Sequence, residues 1–232
     1  FKGYSLRRHL GDSPSQRFCV LNATLSKPDT MSFQSQFAQQ RQAIRQLIRQ
    51  RRRELTPGQQ RFAAEKIAER LVAHAHIKAA HSIAVFLSFD GELDTGPLIE
   101  QLWTLGKRVY LPVLHPFSPG HLLFLRYAPE TPLVRNRFNI LEPRLDVRQV
   151  LPLGELDVVL TPLVAFDHTG QRLGMGGGFY DRTLQNWQSD GPYPIGLAHD
   201  CQQVEHLPTE HWDIPLPEIL TPLCSWAWHE PK

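Results

Sequence analysis

Residues 1–30 show no usable apolar periodicity. After them, apolar residues recur at the spacing of a helix. From about residue 36 to residue 54, Ile44, Leu47 and Ile48 fall close to one helix face, which predicts an amphipathic helix. This helix is also basic, since arginines recur at a spacing near four residues: Arg41, Arg45, Arg49 and Arg52.

The second predicted helix has a well-defined start. In Thr56-Pro57-Gly58-Gln59, threonine can cap, proline suits the first helical position and Gln59 completes a capping box. The helix is expected to run to about His76. Its predicted buried residues are Ala64, Ile67, Leu71 and Val72.

Short β-rich runs then alternate with helical segments. Residues 82–88 predict a buried strand, Pro97 opens a helix that ends near the C-cap residue Gly106, and residues 109–113 predict the next strand. This order favours a parallel strand pair with a right-handed crossover. The proline-rich residues 115–153 predict short strands and loops over the sheet.

The second half of the chain centres on a glycine-rich segment. Residues 158–161 and 164–166 predict one long or broken strand before it, residues 179–187 a helix after it, and residues 195–198 another strand. The predicted fold is α/β: a single domain with a mixed, mostly parallel sheet flanked by helices in a Rossmann-like three-layer architecture. The glycine-rich segment is expected at the carboxyl end of a strand, where such sheets bind ligands.

Composition narrows the class of protein. The 232 residues suit one globular domain, and a formal net charge of +2 is too small to argue for a nucleic-acid partner. Three widely separated cysteines favour a reducing cytoplasm over a disulfide framework. No apolar run is long enough for a membrane span. We expect a cytoplasmic monomer with residues 31–232 as the catalytic domain and Met31 as the initiator. Residues 1–30 are expected to be a non-native or disordered extension; the alternative is an arginine-containing targeting leader, which Asp12 and Asp29 disfavour.

The segment from Gln171 to Arg182 carries the strongest chemical signal, because four of five consecutive positions hold glycine. Glycine has a high backbone entropy, so this clustering favours a loop whose N–H groups approach a phosphate at a helix N-terminus. Arg172 and Arg182 add positive charge. The alternative is a structural turn. A P-loop is disfavoured because no lysine follows the glycines, and the likeness to a dinucleotide fingerprint is loose.

Three carboxylates are candidate ligand contacts. Mg²⁺ accompanies ATP and prefers carboxylate oxygens, so Asp181 and Asp213 are candidate metal ligands. Asp181 can equally be a charge at a helix N-terminus, and Asp213 a turn residue. Glu92 follows a predicted strand and can accept hydrogen bonds from a pterin-like or amide-bearing ligand. The alternative role for the loop that contains Glu92 is to cap the start of the next helix.

The basic helix carries two guanidinium groups that are candidate phosphate contacts. Arg41 and Arg45 lie one turn apart and can converge on a polyphosphate. A solvated helix face is the plainer alternative, and nucleic-acid binding is a further one. Few aromatic residues interleave with these arginines, which disfavours a nucleic-acid interface.

Several segments together resemble the 5-formyltetrahydrofolate cyclo-ligase family. Residues 157–167, Asp-Val-Val-Leu-Thr-Pro-Leu-Val-Ala-Phe-Asp, run into residues 172–182, Arg-Leu-Gly-Met-Gly-Gly-Gly-Phe-Tyr-Asp-Arg, and together they resemble the family signature. Residues 86–95, 198–202 and 212–217 match further family segments in the same order. The resemblance extends from about Arg41 to the C-terminus.

The resemblance implies an α/β enzyme driven by MgATP. In that family the formyl oxygen of 5-formyltetrahydrofolate attacks the γ-phosphate and forms an imidate-type phosphate ester. Attack by N10 and loss of phosphate then give 5,10-methenyltetrahydrofolate. Two expectations follow for chemical roles: catalysis by Arg172, Tyr180 and Asp181, and Mg²⁺ binding by Asp181 and Asp213.

The resemblance also implies binding residues. ATP would be bound by Arg41, Arg45, Arg172, Leu173, Gly174, Met175, Gly176, Gly177, Gly178, Phe179 and Tyr180. The folate substrate would be bound by Leu87, Glu92, Met175, Gly176, Gly177, Gly178 and Phe179. Arg41 stands where the family often has lysine, and the loop lacks the basic residue the family often has there. Neutralisation of the γ-phosphate would therefore depend on Arg172, Arg182, the N-terminal arginines and Mg²⁺.

Two other function classes stay open from the residues alone. A nucleotide-binding regulatory module would bind ATP without releasing ADP when the folate is supplied. A basic-helix nucleic-acid binder would show a steep salt dependence of its affinity. Neither class requires Glu92, the glycine segment and Asp213 together.

Overall fold

The computed structural model describes residues 33–228. The expectations for residues 1–30 and for Met31 as initiator fall outside these described residues.

Six α-helices are described: α1 (Phe33–Arg53), α2 (Pro57–Ala73), α3 (Ala75–Ala79), α4 (Gly96–Thr104), α5 (Phe179–Leu184) and α6 (Trp187–Asp190). The strands are β1 (Ser82–Ala84), β2 (Arg108–Leu114), β3 (Leu122–Tyr127), β4 (Leu133–Arg135), β5 (Leu141–Pro143), β6 (Val150–Leu151), β7 (Val158–Pro162), β8 (Ala165–Phe166), β9 (Arg172–Leu173), β10 (Tyr193–Leu197), β11 (Glu218–Leu220) and β12 (Ser225–Ala227). Three short 3₁₀ turns cover Val147–Gln149, Leu153–Glu155 and Asp200–Gln202.

Eight strands form one mixed sheet in the order β12-β11-β10-β7-β1-β2-β3-β6. The five central strands, from β11 to β2, run parallel to one another, and β12, β3 and β6 add antiparallel pairs at the two edges. Ile83 is in register with Val109 on one side and Val158 on the other. The predicted parallel pairing of the first two strands is confirmed.

Helices cover both faces of the sheet, as the predicted three-layer architecture requires. On one face α2, α3 and α4 contribute buried residues such as Ile67 and Leu98 to the core that contains Ile83. On the other face Leu184 of α5 and the partly buried Trp187 of α6 pack in a second core. Ala84 belongs to that second core although Ile83 belongs to the first, because successive strand residues point to opposite faces.

The capping box of the second helix and the glycine after the helix opened by Pro97 are confirmed. Thr56 and Gln59 form the capping box at the start of α2, with Thr56 Oγ1 accepting from Gln59 N at 3.3 Å. Gly106 follows α4 with φ of +70°, the left-handed conformation expected after a helix. The second helix ends at Ala73 rather than His76, and His76 belongs to the separate helix α3.

The strand predicted over residues 82–88 is shorter in the structure. Strand β1 ends at Ala84, although Val85 N still donates to Tyr110 O at 2.8 Å. The chain then leaves the sheet, and Thr95 Oγ1 donates to Phe86 O at 2.5 Å. The apolar residues after Val85 therefore line a cavity instead of extending the strand.

The surroundings of the glycine segment also differ from the prediction. Strand β7 remains in the large sheet, whereas β8 leaves it and pairs antiparallel with β9 in a separate two-stranded ribbon. The glycine segment therefore follows a ribbon strand and not a strand of the main sheet. The helix predicted over residues 179–187 is divided into α5 and α6, with Gln185 and Asn186 between them.

Within the described residues, no helix combines the length and apolar composition needed to cross a membrane.

Candidate active site

Residues 174–178, which we call the glycine loop, connect β9 to α5 and separate two cavities. Gly176 has φ of +107° and Gly178 has φ of +64°, so two positions require backbone conformations that other residues rarely adopt. Gly174, Gly177 and Gly178 line both cavities. The loop is thus the shared wall of the two cavities.

The first cavity, here the apolar cavity, has a volume of about 380 Å³ and lies beyond the end of β1. Its walls are mostly apolar and include Leu87, Leu111, Phe138, Ile140, Leu163 and Phe179. Polar groups enter it at a few points only: Glu92, Asn136, Glu142, Arg172, Tyr180 and Asp181. An apolar cleft with a few fixed polar groups is suited to a flat heterocyclic ligand.

Glu92 is the most electrostatically perturbed carboxylate of the apolar cavity. Its side chain is buried, and its Oε2 atom accepts a hydrogen bond from Phe89 N at 3.1 Å. Burial raises the pKa of the Glu92 carboxyl to about 7, although the positive charge of Arg52 and the Phe89 N–H oppose the rise. Glu92 can therefore change its charge near neutral pH inside the cavity.

Tyr180 lies close to the charge of Glu92, and Arg172 lies close to Tyr180 and Asp181. Burial and then the charge of Glu92 raise the pKa of the Tyr180 phenol, so the hydroxyl stays neutral and can donate a hydrogen bond. The Arg172 side chain is 2% exposed. Burial lowers the pKa of Arg172, whereas the charge of Asp181 raises it.

The second cavity, here the polar cavity, has a volume of about 760 Å³ and is rich in charged residues. Arg41 and Arg45 of α1 line it opposite Asp181, Arg182 and Asp213. Arg45 Nε donates to Gly174 O at 2.9 Å, which fixes the helix against the glycine loop. Three guanidinium groups around one cavity suit a polyphosphate.

Each candidate metal carboxylate is paired with an arginine. Asp181 Oδ1 accepts from Arg172 Nη2 at 2.7 Å, and Asp213 Oδ1 accepts from Arg41 Nη2 at 3.0 Å. The two carboxylates are neighbours, since Asp181 Oδ1 also accepts from Ile214 N at 3.2 Å. The fold therefore brings together two residues that are far apart in the chain.

The donor set fits Mg²⁺ better than a metal that needs an all-protein cage. In the part of the chain that the structure describes, no group of three or more histidine, cysteine, aspartate and glutamate side chains is arranged to hold a metal. Mg²⁺ commonly takes one or two carboxylates and completes its shell with water and substrate phosphates. Asp181 and Asp213 facing the polar cavity satisfy that requirement.

Comparison with known proteins identifies the family of this chain. Residues 37–222 match the model of the 5-formyltetrahydrofolate cyclo-ligase family. The chain belongs to this family. The Escherichia coli K12 5-formyltetrahydrofolate cyclo-ligase is 66% identical over 182 residues, which are 78% of this chain and 100% of that protein. The Haemophilus influenzae enzyme of the same name is 57% identical over 182 residues, covering 78% of this chain and 97% of that protein.

Solved structures agree with the fold. The NMR structure of Aquifex aeolicus 5,10-methenyltetrahydrofolate synthetase aligns with a TM-score of 0.70 at 26% identity, covering 83% of this chain and 94% of that one. A 5,10-methenyltetrahydrofolate synthetase from Mycoplasma pneumoniae aligns with a TM-score of 0.62 at 26% identity, covering 78% of this chain and 98% of that one. The chain therefore has the mixed α/β fold of these cyclo-ligase relatives.

Most of the predicted cyclo-ligase site residues line one of the two cavities, but Leu173 lines neither. Its side chain is 1% exposed and packs with Ile48, Val164 and Leu207 in a small core beneath α1. Its carbonyl oxygen accepts from Val164 N at 2.7 Å. Leu173 thus supports the glycine loop from below in this structure.

The short strands predicted within residues 115–153 include β4 and β5, but sequence reasoning did not predict that they pair as a hairpin whose residues line the apolar cavity of this cyclo-ligase family member. Asn136 Oδ1 accepts from Phe138 N at 2.9 Å, and Asn136 Nδ2 donates to Glu142 Oε2 at 3.0 Å. Glu142 Oε2 also accepts from Leu114 N at 3.2 Å, which ties the hairpin to β2. Phe138 meets Phe179 edge to face, with ring centroids 6.0 Å apart. The sequence signal for the turn itself is the pair Asn136 and Asn139.

Proposed function

We propose that the protein is an ATP- and Mg²⁺-dependent 5-formyltetrahydrofolate cyclo-ligase. It converts 5-formyltetrahydrofolate to 5,10-methenyltetrahydrofolate and releases ADP and phosphate. The observation that carries this proposal is the glycine loop between an apolar cavity and an arginine-lined cavity. A folate in the first cavity and a triphosphate in the second would meet across a wall made mainly of backbone.

The proposed chemistry activates a poor leaving group. The formyl oxygen bonds to the γ-phosphorus while the bond from that phosphorus to ADP breaks, which gives a phosphorylated formyl intermediate. N10 attacks the formyl carbon and loses its proton, and the carbon–oxygen bond then breaks to release phosphate. No covalent enzyme nucleophile is needed, so catalysis depends on positioning and charge neutralisation.

Residues of the polar cavity would hold the phosphates. Arg41, Arg45 and Arg182 supply positive charge, and the glycine loop supplies backbone N–H groups at the start of α5. Asp181 and Asp213 would hold Mg²⁺, which neutralises phosphate charge when bound. Arg41 would exchange its Asp213 partner for a phosphate oxygen as the ligands enter.

Residues of the apolar cavity would hold the folate. Glu92 would accept hydrogen bonds from N–H groups of the pterin ring, and Leu87 and Phe179 would contact its faces. Arg172 lines this cavity and pairs with Asp181, which lines both cavities. Arg172 and the neutral Tyr180 hydroxyl would steady the formyl oxygen during transfer.

A monomer working in a reducing cytoplasm is part of the same proposal. Cys201 and Cys224 are both free thiols among the described residues, which suits that compartment.

Turnover with the proposed substrates tests the function directly. Purified protein with 5-formyltetrahydrofolate, ATP and Mg²⁺ should show growth of the methenyl-folate absorbance together with one ADP for each product. Omission of ATP, Mg²⁺ or the folate should remove the signal. Folded protein that binds ATP but forms neither product would support a regulatory module instead.

Replacing Gly176 with alanine should weaken nucleotide use more than it affects the folate. An alanine at φ of +107° is strained by about 1–3 kcal/mol, and its Cβ would meet Arg45 Nη2 only at 3.6 Å, so strain dominates over collision. The loop will rearrange, and we expect the KM for ATP to rise about tenfold. Steady-state kinetics measure this effect.

Gly58→Ala is the matched control for that substitution. Gly58 lies in the first turn of α2, and its added Cβ would lie 3.9 Å from Thr56 Oγ1, which is ordinary contact. Its kinetics should equal those of the wild type. An unchanged KM for ATP in Gly176→Ala would contradict a role of the loop backbone in phosphate binding.

A further inference from the structure

Three arginines of helix α1 converge on one carboxylate, Asp90. Arg49 Nε lies 2.9 Å and Arg52 Nη2 3.4 Å from Asp90 Oδ2, and Arg53 Nη2 lies 3.7 Å from Oδ1. The three partners differ in environment: the Arg52 side chain is 1% exposed, that of Arg49 is 32% exposed and that of Arg53 is 72% exposed. Asp90 therefore binds the carboxyl-terminal half of α1 through both buried and exposed contacts.

The backbone at Asp90 has an uncommon conformation. Asp90 has φ of +51° and Gly91 has φ of +74°, so two consecutive residues are left-handed. Glu92 follows at once, and its N–H donates to Phe89 O at 3.0 Å. These residues, 89–92, form the Glu92 loop. Because the turn is tight, a contact that fixes Asp90 also fixes the position of Glu92 in the apolar cavity.

Two buried side chains, Arg52 and His199, support the Glu92 loop. A Cβ on Gly91 would lie 3.4 Å from Arg52 Cβ, so the loop rests directly on α1. His199 is 3% exposed and lies beside the backbone of Gly91 and Glu92. Burial and the charge of Arg52 lower the pKa of His199 to about 4, so the ring packs there as a neutral group.

The other half of the same helix contacts the polar cavity. Arg45 Nε donates to Gly174 O at 2.9 Å, and Arg41 Nη1 donates to Pro208 O at 3.1 Å. Ile48, between the two sets of arginines, is fully buried. Helix α1 has 21 residues and is thus a stiff rod about 30 Å long that touches the glycine loop at one point and the Glu92 loop at another.

We propose that Asp90 is a positioning residue whose carboxylate fastens helix α1 to the Glu92 loop, so that the helix holds the two cavities in one fixed arrangement. Asp90 lines neither cavity. Replacement of Asp90 should therefore weaken the binding of both ligands without removing a contact to either. The inference rests on the proposed function only for the identity of the two ligands.

Two substitutions separate positioning from stability. Asp90→Asn removes the charge but keeps a side chain that tolerates the left-handed conformation. Asp90→Gly removes the same charge and also relieves the backbone, so its folded state should be the more stable of the two. The control is Arg53→Met, which removes only the longest and most exposed of the three ion pairs.

Binding and hydrogen exchange are measured on the same proteins. Calorimetry with 5-formyltetrahydrofolate and, separately, with MgADP should give dissociation constants raised about tenfold for the folate and about threefold for the nucleotide in both Asp90 variants. Without ligand, amide exchange in residues 46–53 and 91–95 should accelerate about tenfold in both. Arg53→Met should stay within about twofold of the wild type in every measurement.

The outcomes distinguish this inference from the proposed function. Wild-type affinities retained in both Asp90 variants would overturn positioning, and so would losses that follow thermal stability, with Asp90→Gly spared. Unchanged exchange would overturn the anchoring itself. A wild-type protein that binds neither ligand would contradict the proposed function, while the exchange data would still report whether Asp90 fastens the helix.

Discussion

Asp181→Asn should lower the turnover number by about 10² to 10³-fold, the loss typical of removing a preorganised charge from a reacting centre. Asp181 lines both cavities and lies next to Asp213, where we expect Mg²⁺ and the transferred phosphate. Asparagine keeps an oxygen that can still accept from Arg172 and from Ile214 N. The free energy of unfolding should therefore fall by only about 1–3 kcal/mol.

The measurement pairs initial rates at saturating substrates with denaturant unfolding of each protein. Asp146→Asn is the control, because Asp146 also pairs with an arginine, Arg148, at 2.8 Å but lines neither cavity. It should keep the wild-type turnover number. If Asp181→Asn retains more than about a tenth of the turnover, Asp181 has no chemical role and only balances the buried Arg172.

Glu92→Gln should abolish a pH dependence of stability that the wild type possesses. The pKa of this carboxyl is raised from 4.5 to about 7 in the folded protein. Between these values the folded protein holds a proton that the unfolded chain has released. Its free energy of unfolding therefore falls as pH rises through this window, by up to about 3 kcal/mol. Relative to the wild type, Glu92→Gln should become more stable by about that amount between pH 5 and pH 8.

The same substitution should impair folate use by about 10 to 100-fold in kcat/KM, since a charged acceptor in an apolar cavity is lost. In the wild type the KM for the folate should fall as pH rises from 6 to 8, because the ligand N–H groups favour the ionised carboxylate. That dependence should be missing in the variant. Glu100→Gln, an exposed change on α4, is the control. A flat difference in stability between pH 5 and pH 8 would show that Glu92 is ionised throughout.

Signals that act over a few residues predicted the structure well. The capping box at Thr56 and the left-handed Gly106 were placed correctly, because each depends on hydrogen bonds or sterics within one turn. The end of β1 was predicted wrongly, because apolar residues after Val85 suit a strand and a cavity wall equally well. Likewise β8 and β9 pair with each other, a choice that short apolar runs do not encode.

The amino-acid sequence by itself determined the α/β class, the main helices and the central parallel strands, and the family, because these depend on periodicity and on contiguous motifs. It also identified the glycine loop, since clustered glycines indicate a backbone conformation that other residues rarely adopt. The tertiary structure alone decided the partners of charged groups, such as Arg41 with Asp213 and Arg49 with Asp90. Pairing between residues far apart in the chain depends on where the packed sheet and helices bring them, and no local pattern contains that information.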